Sequence, residues 1–150
     1  MSINEDFNEI MEYAHCWNWL PDWSDAKEIY LAFPYSYSIL CPFAYAYLEE
    51  VIRSMTSEYG KVVLDESGNC KKRKVGMGLV KLAIEENNAN TELVFLLEQI
   101  KPYFMMSSEI DWGNNRNSVV HGYMHSGFWK KEAFENLIYA IATLSKYSHF

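Results

Sequence analysis

The sequence predicts an all-α domain, and three observations carry that reading. Apolar residues recur at steps of three and four along most of the chain, the spacing of one helix face. The stretch with β-like character, Val62-Val63-Leu64, is short and sits beside a turn-forming Ser67-Gly68-Asn69. At 150 residues, 49% hydrophobic and 16% aromatic, the chain holds enough apolar material for one folded core. The expected architecture is an up-and-down bundle of four to five helices, with a short irregular or hairpin insertion at about 60–75.

A first helix is expected from Asn4 through Glu5 to about Trp19, with acidic residues in its first turn and Pro21 as its stop. Ser24, with Glu28 nearby, opens a short helix through Ile29, Leu31 and Phe33 that Pro34 ends. The aromatic density of this region (Trp17, Trp19, Trp23, Tyr30, Phe33, Tyr35, Tyr37) reads as packing surface, with a base-stacking platform as the alternative. From Tyr37 to Tyr59 runs the longest periodic stretch. Leu40, Phe43, Ala44, Tyr47, Leu48, Val51, Ile52 and Met55 make its wide apolar face. Pro42 is placed in its first turn, Glu49 and Arg53 form an acid-first pair four apart, and Gly60 is the stop.

Lys61 to Val75 is a small hairpin or a loop, and its Lys71-Lys72-Arg73-Lys74 run is either a phosphate-contacting patch or a solvated loop. Helical spacing resumes at Gly78 to Glu86. It resumes again at Thr91 to Phe104, with Thr91 as N-cap and Pro102 bending or ending the last turn. After a polar turn, Asp111 to Asn115, Asn114 or Asn115 caps the next short helix. The final helix, about Trp129 to Tyr147, packs through Phe134, Leu137, Ile138, Ile141 and Leu144.

Composition narrows the function classes. A net charge of −7 disfavours a protein that grips nucleic acid by broad phosphate neutralisation, while leaving room for contact with a few nucleotides at one cationic cleft. No apolar run reaches the roughly 18 residues of a membrane span. Glu5, Asp6 and Glu9 argue against a signal peptide, and the three scattered cysteines, Cys16, Cys41 and Cys70, read as thiols in a reducing compartment. A cytoplasmic location is expected, with Cys16 and Cys41 as small core residues.

The run Asn114-Asn115-Arg116-Asn117-Ser118-Val119-Val120-His121-Gly122-Tyr123 stands apart from this core-building background. On a helix, Asn117 and His121 stack on one face, while Arg116 and His121 lie about 140° and about 7.5 Å apart. They border one cleft without surrounding a substrate. Arginine offers a planar, permanently charged fork suited to phosphate, and histidine moves protons near neutrality. RNA carries its own nucleophile, the 2′-hydroxyl, so a base, an acid and a phosphate clamp suffice for strand cleavage. One chain supplies one such histidine; a two-fold dimer centred here supplies two. The spacing by itself favours a locally bonded histidine and a surface ion pair over a site.

The stretch Asn115 to Gly122 resembles the R-x(4–6)-H signature of the HEPN superfamily, in its N-R-N/H-x-x-x-H-G form. Phe128-Trp129-Lys130-Lys131-Glu132-Ala133-Phe134 and the apolar helix after it are similar to the segment that follows the motif in abortive-infection-type HEPN proteins. The resemblance spans about Asn114 to Tyr147, extends loosely over Tyr37 to Phe104, and leaves the first 35 residues unmatched. It implies a helical bundle that dimerises around the motif. It also implies a metal-independent endoribonuclease, leaving a 2′,3′-cyclic phosphate and a 5′-hydroxyl, in phage defence or toxin–antitoxin control. In that carry-over Arg116 binds the scissile phosphate, His121 transfers protons and Asn117 orients His121 or substrate. Asn115, Ser118 and Tyr123 are expected substrate contacts, with no cofactor and no metal. Tyr123 also completes an R-x(4)-H-x-Y pattern similar to HEPN toxins paired with a nucleotidyltransferase-type antitoxin. His125, four residues after His121, suggests half a metal site only if the helix continues through Gly122; Glu109 and Asp111 are candidate partners for the motif. Two other classes compete: a non-catalytic HEPN dimer binding a partner protein or nucleotide, and a plain helical interaction domain.

Overall fold

The computed structural model describes residues 2–107, 111–122 and 124–150, and these are all-helical, with seven α-helices and no β-strand among them. The helices are α1 (Ile3–Tyr13), α2 (Leu20–Ala32), α3 (Tyr37–Ser54), α4 (Gly76–Glu86), α5 (Thr91–Ile100), α6 (Arg116–Val120) and α7 (Lys131–Ser145). Short 3-10 segments at Pro34–Ser36, Lys101–Phe104 and Ser126–Phe128 turn the chain between them. None of these helices is long and apolar enough to cross a membrane.

Helices adjacent in sequence pack together, α1 on α2, α3 on α4 and α4 on α5, while α7 closes the bundle against α1, α3 and α5. The buried residues form one cluster. The apolar faces of α3 (Ala44, Leu48, Val51, Ile52) and α7 (Phe134, Leu137, Ile138, Ile141) run through its centre, as the periodicity predicts. Phe7, Trp23, Tyr30 and Phe134 continue it in tilted ring pairs. Each such fully buried side chain contributes about 1.5–3 kcal/mol.

The element ends differ from expectation for identifiable reasons. Ser2 opens α1 in place of Asn4, through a capping box in which Ser2 and Glu5 bond each other's backbone N–H. Pro21 does not end a helix; it lies in the first turn of α2, where its missing N–H costs nothing. The first helix therefore stops at Tyr13, and the second starts before Ser24. Pro42 sits inside α3, beyond its first turn, with its ring on the exposed side. That helix ends at Ser54, followed by turns to Gly60, whose φ of 64° needs no side chain. Asn90, and not Thr91, caps α5 through Leu93 N–H.

Residues 61–75 form the hairpin. Leu64 and Cys70 bridge, Lys71 N–H donates to Val63 at 2.7 Å, and Asp65 Oδ1 accepts from Ser67 and Asn69 in the turn. Of the aromatic group near the N-terminus, Trp23 and Tyr30 are core, whereas Trp17, Phe33 and Tyr35 are exposed. Cys41 is buried as expected; Cys16 is not.

Candidate functional site

The motif begins with a locked turn. Gly113 adopts φ of 88°, and a Cβ there would meet Trp129 Cβ at 2.9 Å, so only glycine fits. Its carbonyl accepts from Tyr45 Oη at 3.2 Å and Cys41 Sγ at 3.7 Å on α3. Asp111, buried, accepts from Gly113 N–H at 2.8 Å through Oδ1. Lys130 N–H donates to Trp112 O, and Tyr37 Oη donates to Trp129 O. Burial, with the Asp111 carboxylate nearby, pushes the Cys41 thiol up to about 12 and keeps it protonated. The turn thereby joins α3 to the start of α7.

Asn115 then caps α6. Its Oδ1 accepts from Asn117 and Ser118 N–H, and its Nδ2 donates to Met105 O at 2.8 Å. Of the two asparagines offered as caps, Asn115 is the one used. The helix lasts five residues. His121 is its C-cap, and Gly122, at φ of 64°, ends it in the left-handed region.

Arg116 is not a surface cation. Its Nε lies 2.7 Å from Glu49 Oε1 in an ion pair, with side-chain exposures of 17% and 13%, and its Nη1 donates to Asn117 Oδ1 at 3.3 Å. The ion pair and the hydrogen bond together hold the fork in place. The expected Glu49–Arg53 pair does not form. Arg53 instead meets Glu50 and the buried Glu58. Sequence reading missed Glu49 as a site residue because its partner lies far along the chain and no local spacing announces it.

Asn117 does not orient the His121 ring. Its side-chain partners among the described residues are Arg116 and Met105 O, and it meets His121 only through the backbone, His121 N–H to Asn117 O. His121 is exposed. Val119 is buried, whereas Val120 is 45% exposed. Ser118 is 1% exposed and Asn115 is spent on the cap, so in this chain both build the site's frame, not its substrate-facing surface. Tyr123 and Glu109 lie outside the described residues.

His125 does not stack on His121, because Gly122 breaks the helix between them. Its Nδ1 accepts from Gly127 N–H and caps the following 3-10 segment. No group of three or more metal-ligating side chains occurs among the described residues.

Met105, Met106, Val120 and Phe128 are exposed. Of these, Met105 meets the motif directly, its carbonyl accepting from Asn115 Nδ2 and Asn117 Nδ2. On the side facing α7 an open cleft of about 370 Å³ is lined by Tyr103, Trp112, Asn114, Lys130 and Asn136, with Lys130 Nζ 4.4 Å from the Trp112 ring centre.

Compared with family models, with curated proteins and with solved structures, the chain matches none.

Proposed function

We propose that the chain is a HEPN-type endoribonuclease of the cytoplasm, working as a homodimer in phage defence or toxin–antitoxin control. The observation that carries this reading is the presentation of Arg116 and His121 from one short helix. Arg116 is aimed and held by Glu49 and Asn117, while His121 stands exposed at the C-cap. A fixed fork and an exposed imidazole presented by one short helix are the groups that a phosphate clamp with proton transfer requires.

In the proposed reaction the 2′-oxygen of RNA attacks the adjacent phosphorus, and its proton passes to a neutral His121. The P–O5′ bond breaks, and the departing 5′-oxygen takes a proton from the imidazolium of His121 of the partner subunit. Arg116 offsets the charge that gathers on the non-bridging oxygens. The products are a 2′,3′-cyclic phosphate and a 5′-hydroxyl. No step calls for a metal, because the nucleophile comes with the substrate. The exposure of Met105, Met106, Val120 and Phe128, before, within and after the motif in the chain, supports a second copy as their cover.

The test is cleavage of cellular RNA by the purified chain against Arg116→Ala and His121→Ala. Either change is expected to lower the rate by about 10²–10⁴-fold. Equal RNA profiles from all three chains would remove the nuclease reading and leave a non-catalytic dimer in its place.

A further inference from the structure

We propose that the 61–75 hairpin is the RNA-backbone-binding arm of the Arg116/His121 site, an inference that rests on the ribonuclease reading above. The link is one atom. Glu49 Oε1 lies 2.7 Å from Arg116 Nε in an ion pair and accepts from Gly76 N–H at 3.2 Å, so the start of α4, where the hairpin ends, and the motif arginine converge on a single carboxylate oxygen.

The hairpin is also held at its base. Lys74 O accepts from Arg53 Nη1 at 2.9 Å, and Lys74 N–H donates to Glu58 Oε2 at 3.0 Å. Arg53, one helical turn along α3 from Glu49, is buried and paired with the buried Glu58 beyond the helix end. Arg73 Nη2 donates across to Lys61 O at 2.8 Å, tying the two sides together. The buried ion pair therefore holds Lys74 two residues before Gly76, whose N–H meets the carboxylate that pairs with Arg116.

Its charge is opposite to that of the chain. Residues 61–75 hold Lys61, Lys71, Lys72, Arg73 and Lys74 against Asp65 and Glu66, a net of +3 in a chain of −7. All four cations of the run at 71–74 are exposed, and none forms an ion pair among the described residues. Arg73 spends one donor on Lys61 O, while the Lys71, Lys72 and Lys74 ammonium groups have no partner among the described residues and remain available to ligand. An acidic protein that gathers its cations on one arm next to a phosphate-suited arginine is built for local contact with a polyanion. RNA is the polyanion that the neighbouring site would cut.

The experiment measures binding, not cleavage. A short fluorescein-labelled single-stranded RNA is titrated with the full chain carrying His121→Ala, with and without Lys72→Gln/Lys74→Gln, across a range of salt. The pair of hairpin substitutions is expected to weaken binding about tenfold, and to lower the slope of log K against log salt by about 1.4, or 0.7 per lost phosphate contact. Lys27→Gln/Lys146→Gln, which removes the same charge elsewhere, is expected to have a much smaller effect. Unchanged binding, or equal weakening by both pairs, would overturn the arm while leaving the cleavage test untouched. Hairpin-dependent binding without any cleavage by the native chain would keep the arm and remove the nuclease reading. Circular dichroism checks that the variants keep their helices, as expected for exposed side chains.

Discussion

At the scale of single residues, Glu49 decides how the motif is presented. Its carboxylate neutralises part of the Arg116 charge and at the same time fixes the direction of the fork, with both side chains largely withdrawn from water. Removing the charge but keeping the shape separates these effects. Glu49→Gln is expected to cost about 1–3 kcal/mol of stability, since Arg116 keeps its charge in a partly buried place without its anion. Chemical denaturation of the variant measures this. A change within error would mean that Arg116 finds water as easily as it finds Glu49. The neighbouring polar residues show why a motif's chemistry is hard to read from its letters. Asn115 and Ser118 look like substrate contacts in the sequence, yet one caps α6 and the other is buried beneath it. Polar side chains near a helix start serve the backbone first, because four N–H groups there lack partners.

Among the elements, α3, α4, α5 and α7 were legible because each buries a continuous stripe at helical spacing. In the first 35 residues the two helices were legible but their ends were not, and Pro21 shows the reason. Proline is compatible with a helix's first turn and with the region after its end, so its position alone does not say which. The same region supplies a titration test. Asp6 lies buried on α1, its Oδ1 without a partner among the described residues. Burial raises its carboxyl above the ordinary Asp range, with Glu5 and Glu9 adding to the effect. The folded state thus keeps this proton to higher pH than the unfolded chain. Its stabilising contribution is complete below the ordinary Asp range and is lost as pH rises through the raised value. Asp6→Asn is therefore expected to raise the melting temperature at neutral pH, with the gain shrinking as the pH falls toward the ordinary Asp range. A gain that grew on acidification would contradict the assigned direction.

For the whole molecule, exposed apolar side chains precede and follow the motif in the chain, and a second copy is the proposed cover. Met106 is 93% exposed and Val120 is 45% exposed. Glutamate at these positions therefore leaves the core intact and places charge at the proposed contact. Met106→Glu/Val120→Glu is expected to shift the sedimenting species from dimer to monomer with unchanged helical content, and to lower RNA cleavage with it. A variant that stayed dimeric and fully active would place the contact elsewhere. The helical class of the molecule was open to sequence reading, because patterning sets it. The Glu49–Arg116 contact was not, because it joins two segments whose meeting depends on the packing of the whole bundle.

The central claim is that Arg116 and His121 cut RNA through its own 2′-hydroxyl, and the ends of the cut strand test it most directly. Incubated with the native chain in the presence of EDTA, RNA is expected to acquire 2′,3′-cyclic phosphate and 5′-hydroxyl ends, with His121→Ala producing neither. Cleavage that leaves 5′-phosphate ends, that stops on chelation, or that survives loss of His121 would contradict it.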